Sequence, residues 1–255
     1  MSGPVRFEVT NDVAVITLER PQVRNAVDRT TAQALAAALD ELDRRDDVRV
    51  GVLTGSGTVF SAGMDLKAFS MTGERPIDER RGGFGITTCP PEKPIIAAVE
   101  GPALGGGFEI ALACDLIVAG TGATFGLPEV KRGLVAAAGG VLRLPRRIPH
   151  AIAKEMVLTG NPITPAEAQR LGLVSRVVPD GTAAAEACSL AQTIAANAPL
   201  AVRTAKLLVD QSVDWPFAYA FDRQAPYADA VRSSNDAKEG AAAFVEKRAP
   251  VWTGS

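Results

Sequence analysis

Residues 5–9 and 13–18 alternate apolar and polar positions around Asn11-Asp12, the pattern of two strands joined by a tight hairpin turn. Asp28 then opens a helical stretch through Arg45 that places Leu35, Ala38, Leu39 and Leu42 on one face. The almost wholly apolar VGVLTG (50–55) and PIIAAVEG (94–101) read as strands covered on both sides. SGTVFSAGMD (56–65) reads as a loop. Residues 70–93 carry Gly, Pro and mixed charge without a period, which predicts a mobile segment with one helix. A glycine loop, a helix from about 105 to 114 and a strand DLIVAG (115–120) come next. The recurring order strand, helix, strand predicts an α/β layered fold rather than a sandwich. Beyond residue 148 the pattern turns helical, over 150–159, 165–171, 183–197, 199–213, 217–232 and 236–247, with one strand, LVSRVV (173–178). A shift in composition near 198 divides the chain into a core, 1–197, and a C-terminal α-helical region, 198–255.

Charge narrows the partners. A net charge of −2 and a pI near 5.6 leave no basic stripe for nucleic acid and no match to an anionic membrane. No window reaches 18 uninterrupted apolar residues, the length a spanning helix needs. Cys89, Cys114 and Cys188 are too far apart for a CxxC zinc motif or a disulfide framework. Together with the absence of a secretory pattern at the N-terminus, this predicts a cytoplasmic protein without a metal.

GPALGGGFEIALACD (101–115) raises the chemical question, because three glycines and one carboxylate stand at the mouth of an apolar segment. Gly105, Gly106 and Gly107 follow a strand and open a helix, where unpaired amides and the helix dipole suit an anion or a developing negative oxygen. A tight, close-packed corner explains the same glycines. Glu109, one turn further on among Phe108, Ile110, Ala111 and Leu112, fits either a first-turn cap or a desolvated general acid or base. FSAGMDLK (60–67) repeats the theme of glycine beside small residues before a helix. FGLPEVKRG (125–133) sets Glu129 behind a proline after a short apolar strand. The lone histidine, His150, follows Pro149 at a helix start and reads as a cap or surface residue.

Taken together, FSAG-x-D, GPALGGGFE, the spacing of twenty residues from Glu109 to Glu129, and AAGGVLRLPRRI resemble the crotonase superfamily, specifically the enoyl-CoA hydratases. The resemblance runs from the N-terminal hairpin and RPQVRNAV to AKEGAAAFVEKRAPVW, nearly the whole chain. It implies a spiral of repeated ββα units followed by a helical trimerisation region, with trimers that often pair into hexamers. It also implies an acyl-CoA thioester as substrate and no separate cofactor, CoA arriving on the substrate itself.

Carried over residue by residue, the resemblance assigns two backbone amides, Ala62 and Gly106, to the thioester oxygen. It assigns Glu109 and Glu129 to the water that adds across the double bond. Gln22, Val23, Arg24, Ala62, Gly63, Met64, Asp65, Leu66, Gly105 and Pro128 are the substrate and CoA contacts that the resemblance implies. Residues 70–93 fall where the family's acyl pocket varies. GGVLRLPRRIP and EGAAAFVEKRAPVW also resemble carnitinyl-CoA dehydratases, which hydrate crotonobetainyl-CoA and keep both glutamates. An enoyl-CoA isomerase generally relies on one carboxylate, whereas this chain supplies two. A non-catalytic or RNA-binding crotonase-fold scaffold predicts a lost glutamate or a basic face, and neither is present. The family's usual Gln-Pro-Glu is Leu127-Pro128-Glu129 here.

Overall fold

In the computed structural model, which describes residues 3–255, the chain opens with β1 (Val5–Thr10) antiparallel to β2 (Val13–Leu18), Thr10 opposite Val13. Asn11 and Asp12, at φ 50° and 64°, form the turn, the left-handed pair that matches the twist of a two-residue hairpin. Helix α1 (Arg29–Arg44) starts where the Asp28 carboxylate accepts the Thr31 amide at 2.8 Å, satisfying a donor that the first helical turn leaves unpaired. After it come β3 (Val50–Gly55), α2 (Leu66–Thr72), the two-residue strands β4 (Ile77–Asp78) and β5 (Gly82–Gly83), and β6 (Ile95–Val99). The chain continues through β7 (Pro102–Leu104), α3 (Gly106–Ala113), β8 (Leu116–Gly120), β9 (Thr124–Gly126), α4 (Gly140–Arg147), α5 (His150–Thr159) and α6 (Pro165–Arg170). Last are β10 (Arg176–Val178), α7 (Ala183–Ala195), α8 (Pro199–Ser212), α9 (Phe217–Ser233) and α10 (Asn235–Glu246).

The main sheet runs β1-β2-β3-β6-β8-β10 and is parallel from β2 onward. Its apolar strands are covered twice, as continuous hydrophobic runs require. On one face Val50, Val52, Ile96, Ala98 and Val118 pack beneath α7, whose Ala183, Ala187, Ala191 and Ala195 repeat every fourth residue and let the helix lie close. On the other face Leu53, Ile95, Ala97, Val99, Ile117 and Ala119 join the cluster that includes Leu35, Leu39, Phe108, Ile110 and Leu112 of α1 and α3.

Beyond the ends of β3, β6 and β8 the chain bends into a second, shorter ribbon. Ser61 bridges Ala103, β7 pairs with β9, and Phe125 bridges Ile163. Each pass contributes one strand to the sheet and one to the ribbon before a helix or a 3-10 turn, which is the expected ββα spiral.

Two parts of the sequence reading need correction. Residues 70–93 hold no helix beyond the end of α2 at Thr72; they hold the β4–β5 hairpin, and it is anchored. Arg81, 1% exposed, donates to Asp40 at 2.6 Å, Asp43 at 2.9 Å and the Cys89 carbonyl at 2.9 Å. Asp40 and Asp43 both lie on α1, so two acids that sequence periodicity leaves on its polar face recruit the hairpin. The second correction is α4. Pro145 and two glycines hide it in the sequence, but Gly139 in the left-handed region caps its start and Pro145 is accommodated inside it.

Helices α8 to α10 pack on one another and are tied back to the core through Lys206. Its ammonium donates to Asp115 at 2.8 Å, to the Pro91 carbonyl at 2.7 Å and to the Lys93 carbonyl at 3.0 Å. Among the described residues no helix is long and apolar enough to cross a membrane.

Candidate active site

Glu109 lies in the first turn of α3 and is 3% exposed. Its Oε1 accepts the Gly140 amide at 2.9 Å, the first residue of α4, so one helix presents the carboxylate and another receives it. Burial is the larger influence and raises the Glu109 pKa to about 7. The Gly140 N–H pulls it down, the nearby Glu129 carboxylate pushes it up again, and the Ala138 amide and Arg143 pull it down further. The group therefore sits near half-protonation in neutral solution.

Glu129 comes from a different pass of the spiral. It follows Pro128 in a 3-10 turn (Pro128–Arg132) directly after β9. Burial raises its pKa as well, against the pull of its own amide and of Arg132. Its Oε2 is buried and has no hydrogen-bond partner among the described residues. A buried carboxylate oxygen left open is expensive unless a water or a substrate group meets it. The twenty-residue spacing seen in the sequence thus becomes two carboxylates raised by burial and near enough for one to push the other up.

Gly105 explains how they fit. At φ 56°, ψ −127° it adopts a backbone open to glycine alone, and a Cβ there would lie 3.3 Å from Glu129 Oε1. Gly107 is the close approach to the neighbouring loop, where a side chain would strike the Ser61 carbonyl.

That loop corrects the expected pair of amides. The Ala62 N–H donates to the Arg24 carbonyl at 3.0 Å and has nothing to offer a ligand. Val27 pairs with the Gly63 carbonyl at 2.8 Å and the Asp65 amide at 3.0 Å. Because alternate amides of an extended segment point opposite ways, the Met64 N–H between them is left facing away from Val27. It has no acceptor among the described residues. Gly106, at the first position of α3, is free for the reason all first-turn amides are free. Gly63, at φ 83°, lies so close that a Cβ on it would stand 2.6 Å from the Gly106 nitrogen. Met64 and Gly106 are therefore two amides at this junction without an acceptor among the described residues, one from each of the two segments that meet here. The pairing that occupies Ala62 and leaves Met64 open joins residues far apart along the chain and was not visible in the sequence.

The loop is held firmly. Ser61 Oγ donates to the Asn25 carbonyl at 2.8 Å and accepts the Gly63 amide at 3.1 Å. Asp65 caps α2 through the Ala68 amide at 3.0 Å and receives Arg20 at 3.0 Å. The Ala68 N–H, then Arg20, hold Asp65 below the usual carboxylate range against desolvation, so it serves as structural scaffolding. Gln22 and Val23 lie in an exposed 3-10 turn (Pro21–Val23) that Arg24 ends, alongside residues 62–65, and Leu66 is exposed at the start of α2. The candidate CoA residues are thus gathered on one rim. A polar cleft of about 280 Å³ lined by Asp46, Arg49 and Lys93 opens at the opposite, N-terminal ends of β3 and β6, away from both glutamates. Among the described residues no cluster of His, Cys, Asp and Glu is suited to a metal ion.

A family model described as enoyl-CoA hydratase/isomerase matches residues 8–255. A carnitinyl-CoA dehydratase of Salmonella typhi is 44% identical over all of both chains. Enoyl-CoA hydratase EchA19 of Mycobacterium tuberculosis is 41% identical over 98% of this chain and 96% of its own. The crystal structure of an enoyl-CoA hydratase from Mycobacterium tuberculosis superimposes with a TM-score of 0.97 at 50% identity, covering both chains completely.

Proposed function

The chain belongs to the enoyl-CoA hydratase/isomerase family, and on that premise we propose how its own residues add water reversibly across the 2,3 double bond of an enoyl-CoA thioester. The thioester oxygen sits between the Met64 and Gly106 amides. Attack at the β-carbon moves charge onto that oxygen, and each donor aimed at it lowers the barrier by about 2.7–4 kcal/mol. Glu109 and Glu129 hold one water between them. One carboxylate takes a proton from the water as its oxygen bonds to the β-carbon, and the other delivers a proton to the α-carbon. The reverse sequence eliminates water. Two acids around one water titrate as a pair, so the pair retains one proton near neutrality, the form this step needs.

The observation that carries this reading is the open, buried Oε2 of Glu129 beside a Glu109 raised to about 7. The test is turnover of crotonyl-CoA, followed by loss of the absorbance of the conjugated thioester. Wild type is expected to consume it, while Glu109→Gln and Glu129→Gln abolish turnover and still bind CoA thioesters. An inert wild type, with short, long and betaine-bearing enoyl-CoAs alike, overturns the reading.

The full-length similarity to a carnitinyl-CoA dehydratase favours a second substrate for the same two glutamates, and crotonobetainyl-CoA belongs in the same panel. No cofactor beyond the substrate's own CoA enters this scheme, and the three free cysteines suit a reducing cytoplasm. We assign residues 198–255 to assembly: Phe217, Tyr219, Phe221, Phe244 and Val245 are exposed on α9 and α10, more apolar surface than a monomer's scattered residues explain. A homotrimer, or a dimer of trimers, covers it.

A further inference from the structure

The Gly106 amide poses a positional problem. Gly105 and Gly106 lack the side chains that restrain a backbone, yet an oxyanion donor is effective only when its direction is fixed before the reaction begins. The Gly105 amide bonded to the Gly126 carbonyl at 2.9 Å and the Gly105 carbonyl bonded to the Glu109 amide at 3.0 Å supply part of the restraint, and packing supplies the rest. On one side of Gly106 lies Gly63, within 2.6 Å of its nitrogen and 3.1 Å of its Cα as measured from an added Cβ. On the other side lies the ring of Phe84, whose Cζ, Cε1 and Cε2 are the three atoms nearest to where a Gly106 side chain would begin.

Phe84 is itself held in an unusual way. It is 6% exposed and has φ 55°, a left-handed conformation that a bulky residue keeps only when its surroundings impose it. Those surroundings are the β4–β5 hairpin. The Phe84 amide donates to the Pro76 carbonyl at 2.7 Å, Ile86 is buried in the main core two residues on, and Arg81 clamps the hairpin to α1. The same segment reaches the other half of the site. Arg143 donates to the Thr87 carbonyl at 2.6 Å, and a Cβ on Gly83 would press on Ala138, in the loop whose backbone faces Glu109.

We propose that Phe84 is a positioning residue: its ring, set over Gly106 by a hairpin that Arg81 locks to α1, fixes the direction of the Gly106 N–H toward the thioester oxygen. The inference rests on the hydratase reading and deepens it. Phe84 does not touch the reacting atoms; it acts through Gly106.

The test begins with wild-type turnover of crotonyl-CoA, because an inert wild type defeats the hydratase reading and not this one. Phe84→Gly removes the ring and relaxes the left-handed backbone but opens a cavity in the core, so its thermal midpoint is measured first and Phe84→Leu, which fills most of that cavity, is carried beside it as the folded reference. Displacing a donor by a fraction of its working distance is expected to lower kcat about 10- to 100-fold, with KM held within about threefold. The carbonyl stretch of bound enoyl-CoA, read by isotope-edited infrared spectroscopy, moves back toward its value in water, and Phe84→Leu restores most of both signals. Gly106→Ala collides with the ring and loses activity, and adding Phe84→Gly to it recovers at least tenfold. Any one of three results overturns the proposal: a Phe84→Gly enzyme with kcat within threefold of wild type, a loss confined to KM or unaccompanied by a carbonyl shift, or a Gly106→Ala enzyme that Phe84→Gly fails to improve.

Discussion

Replacing Glu109 with glutamine should make the protein more stable while stopping its chemistry. The acid has its ordinary midpoint at 4.5 when unfolded and about 7 when folded. That interval of roughly 2.5 pH units, at about 1.36 kcal/mol each, means the ionised folded enzyme is about 3 kcal/mol less stable than one with a neutral group there. The sign follows from proton binding. Below pH 4.5 both states are protonated and no penalty exists. Between 4.5 and about 7 the unfolded chain ionises while the folded one keeps its proton, so stability falls as pH rises, and above that it levels off. Glutamine retains an Oε1 for the Gly140 amide and, being neutral, removes the repulsion from Glu129, whose Oε2 is the one buried side-chain oxygen without a partner among the described residues. Urea unfolding at pH 8 should show the variant more stable than wild type by about 2–3 kcal/mol, shrinking toward zero near pH 4.5. A variant no more stable than wild type at pH 8, or a gain independent of pH, would refute the view that burial keeps the proton on Glu109.

Hydration by wild type should lose rate on the alkaline side, with an apparent midpoint at or above 7, because the paired acids then give up their last proton; a pH–rate profile flat to pH 9 contradicts the pair. Gly105→Ala forces a side chain into φ 56°, ψ −127° and against Glu129, so it should lower stability by about 1–3 kcal/mol and abolish turnover, measured by thermal melting and by the crotonyl-CoA assay. Arg81→Met leaves Asp40 with Arg80 and Asp43 with the Lys93 amide as remaining partners, and since both acids are partly exposed the loss should be about 1–3 kcal/mol. Hydrogen exchange over residues 77–89 should rise in that variant more than over the main sheet.

Much of the architecture is local in origin. The hairpin at Asn11-Asp12, the Asp28 cap and the doubly covered strands at 50–55 and 94–101 depend on short-range periodicity, and periodicity survives in a linear string. The two glutamates stood out in the sequence by spacing and resemblance, and each lies at the helical start that follows a strand of the shorter ribbon. Helix α4 was not, because Pro145 and its flanking glycines disguise it until neighbouring helices hold it in place.

What the sequence determined by itself is the repeating unit and the chemical types at its corners: small residues where backbones approach, and carboxylates where burial makes them protonatable. Which amide the loop leaves without an acceptor was decided elsewhere. Arg24 takes the N–H of Ala62, and Val27 takes up the groups on both sides of Met64, so the free donor is chosen by partners a long way off along the chain. Arg81 and Phe84 gain their meaning in the same way, from acids on α1 and from the empty side of Gly106. Hydrogen-bond supply and close packing are properties of neighbours in space, and only the folded chain determines who those neighbours are.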